Sequence, residues 1–355
     1  MNAPNFKAWD IDVIDNQTAT TEELFLNLVG WGVLAPSSHN SQPWRFIIYP
    51  ESNSIDICLF EAGVLKHSDK KSRQAHISIG CASQNILAAA EYYDLDVRVE
   101  YFQDSFYPSP LVKLIFGQRV GKPKEKDRKI LDAIKSRRMN RSKFNPLQNI
   151  PKELVDRIKT VVEHEGLVLN VITDTPTKFA LAEIQYSADR SVIAINNFRK
   201  ELGDFFLPND TNQGIGMPGN TFGLSDEMAK YAHQEFGGSG PFDPDLAFGM
   251  AISGRDGLKS SPLIGIISVP EDSPLWWIKT GMVFGELALE AEISGLSVAV
   301  HAAMVEVEMF NRLLKIRLKQ NHRPTVIFRM GYTSEQRPHS PRLCASEVSE
   351  IIGGN

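Results

Sequence analysis

Hydrophobic residues recur along the chain with helical and strand-like periods, and these predict alternating helices and strands. Leu24, Leu28 and Val29 follow a helical period behind Thr20 and Glu23, which have the spacing of a capping box. Further helices are predicted over 72–93, from Pro151 onward, and over 177–199, 274–294 and 305–318. Strands are predicted over 46–49, 55–60, 97–101, 111–116, 167–172, 262–269, 296–300 and 325–330.

Two stretches interrupt this pattern. Residues 121–128 are polar and rich in lysine, which predicts a linker between a first half, 1–126, and a second half, 127–355. Residues 203–245 are rich in Gly, Pro, Asn and Asp, and a loop of this length is usually a functional lid or a disordered segment. We therefore expect a lid-like insertion over 203–245 in the second half.

A faint internal repeat relates the two halves. Residues 80–97 align without gaps to residues 281–298 at an offset of 201 positions, with five matches in eighteen. Each copy reads as a long helix that runs into a short strand. Two unrelated helices of similar composition could match nearly as well; a true repeat would mean two related halves about a pseudo-twofold axis.

Composition narrows the class of protein. The chain has 355 residues, a formal net charge of −5 and three widely spaced cysteines. The net negative charge does not indicate a nucleic-acid-binding surface. The odd number of widely spaced cysteines favours a reducing compartment. The sequence has no signal-peptide pattern and no apolar run long enough to cross a bilayer, so we expect a soluble, cytoplasmic protein.

Several sequence motifs argue against common chemistries. The letters GxGxxG occur at 214–219, but no clear strand precedes them and Pro218 stands where a helix would have to run, so we expect no dinucleotide site there. No paired Cys/His ligand set, phosphate-binding GxxxxGK[ST] loop or GxSxG elbow is present, so we expect neither a metal site nor a serine hydrolase.

Two segments remain as candidates for binding chemistry. Residues 36–46 concentrate short polar side chains between a helix and a strand, where they could pair with the edges of a planar heterocycle or simply form a turn. Arg137, Arg138, Arg141 and Lys143 place four cations within seven positions. Arginine suits bidentate recognition of phosphate, although a solvated basic surface has the same composition.

These segments resemble the nitroreductase family. The run from Pro36 to Phe46, with Asn40, Gln42, Pro43 and Trp44 in order, is similar to the flavin-site motif of that family. Residues 137–141 resemble its arginine-rich opening, and residues 330–332 and 341–343 resemble its closing strand and basic phosphate ligand. The double length and the lid-like segment with Gly216, Met217 and Pro218 resemble the fused branch of the family, some members of which store flavin.

The resemblance implies an α+β protein with two fused nitroreductase-like halves, which form a pseudo-dimer of mixed central sheets flanked by long helices. It implies one FMN per chain, bound through Ser37, Ser38, Asn40 and Gln42 at the flavin and ribityl edges. Arg137, Arg141 and Arg342 would neutralise the phosphate, with Arg138 also in the cofactor site. The backbone of residues 300–304 would approach the ring.

The implied activity is hydride transfer from NAD(P)H through FMN to a nitroaromatic or quinone-like acceptor. The flavin would carry the chemistry, so no catalytic side chain is expected. The alternatives are a flavin-storage protein with a closed lid, or a structural pseudo-dimer without flavin. The fused chain is expected to act as a monomer, with small-molecule substrates and no nucleic-acid or membrane partner.

Overall fold

The computed structural model describes residues 3–103, 106–117, 128–238 and 242–353. Long helices flank two separate β-sheets, as expected for the α+β class. The predicted linker at 121–128 and the boundary at 126/127 lie almost entirely outside the described residues, so these bounds stay predictions.

The helices follow the apolar periodicity of the sequence closely. Those of the described residues are α1 (Thr21–Gly32), α2 (Arg73–Tyr92), α3 (Arg128–Ser136), α4 (Lys152–His164), α5 (Thr175–Ile193), α6 (Asn196–Phe205), α7 (Asp226–Gly237), α8 (Pro244–Lys259), α9 (Pro274–Ile293), α10 (Ala303–Glu306), α11 (Glu308–Leu318) and α12 (Ala345–Val348). The capping box at the start of α1 is present, since Thr20 and Glu23 bond each other's backbone N–H. The range predicted as helical, 177–199, is helical for most of its length but is divided between two helices, because α5 ends at Ile193 and α6 begins at Asn196.

The strands form two main sheets and one short pair. They are β1 (Trp44–Tyr49), β2 (Ser54–Leu59), β3 (Val97–Tyr101), β4 (Pro110–Phe116), β5 (Val168–Ile172), β6 (Phe206–Leu207), β7 (Met217–Pro218), β8 (Leu263–Val269), β9 (Ser297–His301), β10 (Arg323–Gly331) and β11 (Ser349–Ile351). The first sheet has the order β11-β1-β2-β4-β3 and is mixed, because β11 runs parallel to β1. The second has the order β5-β8-β10-β9, and its named strands pair antiparallel.

The two halves repeat one topology. In the first half the strands β1, β2, β4 and β3 lie side by side, and in the second half β5, β8, β10 and β9 take the same places. In each half the second strand leads through a long helix, α2 or α9, to the edge strand. The faint repeat of the sequence is therefore a repeat of structure.

Helices α2 and α9 cross at a pair of equivalent glycines. A Cβ on Gly80 would lie 2.1 Å from the carbonyl oxygen of Ile278, and a Cβ on Gly281 would lie 2.0 Å from that of Ile77. Both relations have the same offset of 201 positions, so each half presents the same surface to the other. This reciprocal contact is the signature of a pseudo-twofold axis.

The prediction that residues 203–245 form a loop is wrong. This segment contains the end of α6, the parallel pair β6–β7, helix α7 and the start of α8. Ala229, Ala232 and Phe236 recur on the buried face of α7. Ala232 and Phe236 pack with Phe206 and Met217, so the segment has a small apolar core of its own. This insertion, between β5 and β8, stands where the first half has only the short turn between β1 and β2.

Among the described residues, no helix combines the length and the apolar character that a membrane span requires.

Candidate functional site

The motif at 36–46 forms a tight turn between α1 and β1. Three of its residues, His39, Asn40 and Gln42, have φ near +50°, a region that Asn and His enter more readily than most side chains. The hydroxyl of Ser37 accepts a hydrogen bond from the backbone N–H of Gln42 at 3.1 Å and closes the turn. Ser37 and Ser38 are half-buried, and the Ser38 hydroxyl donates to the side-chain oxygen of Gln74.

The Asn40 side chain joins the motif to two distant segments. Its Nδ2 donates to the carbonyl oxygens of Gly216 at 2.9 Å and Pro341 at 2.8 Å. Its Oδ1 accepts from the guanidinium of Arg342. The side chain is buried, so these contacts use its hydrogen-bonding capacity within the protein.

Gln42 makes a parallel set of contacts. Its Nε2 donates to the carbonyl oxygen of Gly214 at 2.7 Å, and its Oε1 accepts from the backbone N–H of Leu343 at 3.0 Å. The two predicted flavin-binding amides therefore hold together three segments, the motif, residues 214–216 and residues 341–343. Gly216 lies at this junction with φ of +108°, while Met217 and Pro218 are buried behind it in β7.

Arginines from the second half reach the motif at the end of α1. Arg137 donates to the carbonyl oxygen of Leu34 at 2.8 Å, and Arg342 donates to that of Ala35 at 3.1 Å. Arg138 follows Arg137 and bonds the carbonyl oxygen of Ser136 at 2.6 Å. The structure thus brings the first-half motif and three of the four predicted arginines together.

These three arginines, which we call the phosphate cluster, have little compensating negative charge around them; the Glu292 carboxylate acts on Arg137. The Nε atom of Arg137, Arg138 and Arg342 is buried in each case and has no hydrogen-bond partner among the described residues. None of the three forms an ion pair with a described carboxylate. Burial lowers the pKa of Arg137 to about 10 and that of Arg342 to about 9, where the Arg137 charge acts in the same direction.

His339 lies inside the phosphate cluster and stacks on Trp9 with ring centroids 3.9 Å apart. Burial, together with the charges of Arg138, Arg137 and Arg342, lowers its pKa to about 3. The histidine is therefore neutral at neutral pH, and the positive charge of this region comes from the arginines alone. A phosphate group would pair with these guanidiniums, and the orphaned Nε atoms are donors of the type that such a group requires.

Arg141 lies apart from the phosphate cluster. Its guanidinium stacks over the ring of Phe222, in the insertion, at 4.4 Å. Burial lowers its pKa to about 10, and its charge lowers the pKa of His39, His301 and Arg329. The predicted role of Arg141 at the phosphate stays a prediction.

Sequence reasoning missed Arg329, and it included His301 only as part of the 300–304 backbone predicted to approach the ring. Arg329, on β10, is only 2% exposed; its Nε donates to Nε2 of His301 at 3.2 Å and its Nη1 to the carbonyl oxygen of Ser142 at 2.9 Å. Burial lowers the pKa of Arg329 to about 9 and holds the pKa of His301 well below its usual range. Because Arg329 is embedded in an apolar strand, the sequence reads only as a strand there.

Helix α6, which leads into the insertion, is attached to the first half through Glu201. The buried carboxylate accepts hydrogen bonds from the backbone N–H groups of His67 at 2.8 Å and Ser68 at 2.7 Å. Among the residues 300–304 predicted to approach the ring, Val300 is partly exposed, while Ala303 and Met304 begin α10 and are buried. Their contact with a ring stays a prediction.

Other candidate sites are less supported. A cavity of about 810 Å³ lies away from the motif, between the N-terminal segment, α1 and α12, and is lined in part by Ile11, Asn27 and Cys344. No cluster of His, Cys, Asp and Glu suited to a metal ion occurs in the part of the chain that the structure describes.

Comparisons with known proteins find similarity to proteins that carry the nitroreductase name. No protein-family model matches it. Among solved structures, the FMN-dependent nitroreductase NfnB from Mycobacterium smegmatis, in complex with NADPH, is 15% identical with a TM-score of 0.42, covering 64% of this chain and 100% of its own. An FMN and NADPH-dependent nitroreductase NfnB from sphigopyxis sp. strain HMH is 17% identical with a TM-score of 0.41, covering 63% and 99%.

A curated protein of Mycobacterium tuberculosis (strain ATCC 25618 / H37Rv) gives the longer match. It is named "Putative NAD(P)H nitroreductase acg" and is 22% identical over 338 residues, which cover 94% of this chain and 97% of the relative. The chain is therefore similar over nearly its whole length to a relative that carries the nitroreductase name, and the resemblance to the nitroreductase family that its short motifs first indicated is confirmed.

Proposed function

We propose that this protein binds FMN and is a nitroreductase-type oxidoreductase, with a nicotinamide as hydride donor and a nitroaromatic or quinone-like compound as acceptor. One observation carries the proposal: the phosphate cluster meets the first-half motif, and its three buried Nε atoms have no partner among the described residues. The nitroreductase name of the relative that matches 94% of the chain supports the same reaction class.

The residues present fit the phosphate end of FMN. Arg137, Arg138 and Arg342 would hold the phosphate, because guanidinium groups pair with phosphate oxygens through charge-assisted hydrogen bonds. The hydrogen bonds of Arg137 and Arg342 to the carbonyls at the end of α1 fix their side chains in place before a ligand arrives. Binding would also lower the cost of burying Arg137 and Arg342 without a counterion.

The polar motif would hold the flavin and ribityl edges. We propose this role for Ser37 and Ser38, whose hydroxyls are half-buried and can donate as well as accept. The amide N–H groups of Asn40 and Gln42 could donate to a ligand only by giving up a carbonyl partner elsewhere in the chain. We therefore propose that these two amides first position the site and donate to the cofactor only when the insertion moves.

FMN, when bound, accepts a hydride from a reduced nicotinamide and delivers electrons to an oxidised acceptor. The chain itself needs no nucleophile for this reaction. Its buried histidines, His39 and His301, are neutral at neutral pH because burial lowers their pKa, that of His39 to about 4. Because these imidazoles are neutral, the positive charge of the site comes from its arginines.

One site per chain is the expected stoichiometry, because the motif occurs in the first half and its arginines in the second. The chain saturated with FMN and freed of excess should hold one FMN per polypeptide. Anaerobic addition of NADH or NADPH should then bleach the flavin absorbance, and a nitroaromatic acceptor should restore it. A ratio of two, or protein that stays colourless with FMN, would contradict the proposal.

A second candidate function is flavin storage. The hydrogen bonds from Asn40 and Gln42 to Gly216 and Gly214 hold the insertion against the motif, which favours restricted access. A storage protein would bind one FMN, stay yellow with either nicotinamide, and release flavin slowly. The same anaerobic assay therefore separates the two functions.

A further inference from the structure

The site has two arginine groups, and the phosphate cluster is only one of them. Arg137, Arg138 and Arg342 surround His339, whereas Arg141 and Arg329 act on His301. The second group, which we call the Arg141–Arg329 pair, thus has a separate electrostatic environment. A single phosphate held by three guanidiniums has no need of a second pair beside a different histidine.

The Arg141–Arg329 pair has no counterion among the described residues. Among the described residues Arg329 donates only to neutral acceptors, the imidazole of His301 and the carbonyl of Ser142. The carboxylate of Glu201 acts on His39, but it already accepts from two backbone N–H groups. Gly257 lies against the Arg329 guanidinium, and its neighbour in the chain is Asp256. The Asp256 carboxylate forms an ion pair with Arg255 at 3.1 Å instead.

A buried cation without a counterion is costly, and proteins retain one where a ligand brings the opposite charge. Arg329 is held rigidly by its two hydrogen bonds, by Phe144 at 4.2 Å and by the close approach of Gly257. Through the Ser142 carbonyl it also fixes the chain next to Arg141. The pair is therefore a preformed group of donors rather than two flexible surface cations.

The surroundings of Arg141 indicate what kind of anion fits. One face of its guanidinium lies on the Phe222 ring at 4.4 Å, and no hydrogen bond or ion pair to a described residue uses its N–H groups. The guanidinium is thus stacked on an aromatic ring while its edge remains available for an anion. This combination suits a flat aromatic molecule that carries an acidic group.

We propose that the Arg141–Arg329 pair is a second anion-binding subsite, and that the acceptor reduced by this protein is an aromatic or quinone-like compound bearing a carboxylate or a similar acidic group. The inference rests on the proposed function, of which it names the acceptor class. It assigns Arg141 to the acceptor rather than to the cofactor phosphate.

The test compares two acceptors of nearly equal shape, 4-nitrobenzoate and its neutral amide, 4-nitrobenzamide, with the FMN-loaded protein. The unaltered protein should reduce the carboxylate with a kcat/KM at least about tenfold higher, the factor that one charge-assisted contact gives. Arg141→Gln should bring this ratio to about one, and Arg141→Lys should retain part of it. Arg190→Gln, which removes an exposed arginine of α5 lying over Tyr186 outside the site, should leave the ratio unchanged.

Calorimetric titration with benzoate and benzamide provides a readout that does not depend on turnover. Benzoate should bind the unaltered protein more tightly than benzamide, and Arg141→Gln should abolish the difference. The inference is overturned if both acceptors react equally, if Arg141→Gln slows both equally, or if its main effect is a loss of FMN affinity. If no nicotinamide reduces the flavin but benzoate still binds through Arg141, the reductase proposal fails while the subsite stands.

Discussion

Lys71 and Asp272 form an ion pair at 3.1 Å, although they occupy equivalent positions of the two halves, 201 residues apart. In a dimer of identical chains, each of these positions would face its own copy across the axis. A fused chain is free of that constraint, and here it has placed opposite charges at the two positions. Asp272 also pairs with Arg73 and Arg323, so one carboxylate serves three cations from both halves.

The glycine crossing of α2 and α9 predicts a large stability effect. Gly80→Ala and Gly281→Ala each put a Cβ about 2 Å from a backbone carbonyl oxygen of the opposite helix, so the helices must separate. We expect each to lower the free energy of unfolding by about 3 kcal/mol or more, which is the upper range of overpacking. Denaturant unfolding monitored by circular dichroism measures it.

Gly249, in the interior of α8, supplies the matched control. A Cβ there meets no atom within 4 Å, so Gly249→Ala should be neutral or stabilising by up to about 1 kcal/mol through helix propensity. Equal effects of Gly80→Ala and Gly249→Ala would argue against a close-packed crossing.

The contacts of Asn40 predict that the motif holds the insertion closed. Asn40→Gly removes three side-chain hydrogen bonds, while glycine accepts the φ of +54° without strain. Hydrogen exchange over residues 212–223 should become at least about fivefold faster, because local opening costs less. Asn53→Gly, at a similar φ in the exposed turn between β1 and β2, should leave that exchange unchanged. Unchanged exchange in both variants would mean that other contacts, such as those of Glu201, hold the insertion.

Asp189 lies on α5 and faces α8, and its burial there leads us to predict that stability depends on pH. Burial raises its pKa from 3.8 to about 7, opposed by the hydrogen bond from Gln185. At pH 8 its charge opposes folding, and this penalty is relieved as the pH falls through 7 towards 4, since only the folded state takes up the proton there. Asp189→Asn should therefore stabilise the protein at pH 8 by about 1–3 kcal/mol, and by much less at pH 4.5. A pH-independent difference in melting would show that the carboxyl is ionised normally.

The phosphate cluster predicts a selective loss of FMN affinity. Arg138 is partly exposed, so Arg138→Gln should fold, and the Kd for FMN should rise about tenfold or more with the loss of one charged contact. Riboflavin lacks the phosphate, so its affinity should not change. Fluorescence titration at two salt concentrations measures both ligands. A parallel loss for riboflavin would place Arg138 at the ring or show a general distortion.

Regular periodicity made much of the fold predictable. The helices predicted over 72–93 and 274–294 match α2 and α9 within a residue or two, because each carries apolar residues through many turns. The insertion was harder to predict, because glycine and proline surround α7 and mask its signals. Ser225, with Asp226 and Glu227 in the first turn, did mark the start of that helix.

The site was only partly predictable for a different reason. The motif at 36–46 and Arg137, Arg138 and Arg342 stand out by residue type, and their spatial proximity agrees with that reading. The amide contacts of Asn40 depend on backbone 176 and 301 positions away, which no local pattern encodes. Arg329 and His301 meet only because β9 and β10 pair in one register, with Ile327 opposite His301.

The short strand β11 has a consequence for how the protein is made. It pairs with β1 through Phe46 and Ser349, Ile47 and Glu350, and Ile48 and Ile351, so the first sheet is finished by residues from the far side of the second half. During synthesis the edge of β1 that pairs with β11 stays unpaired until residues 349–351 have been added, about three hundred positions after β1. A nascent chain stalled before residue 349 would expose that edge, and an unpaired strand edge is a template for pairing with other chains.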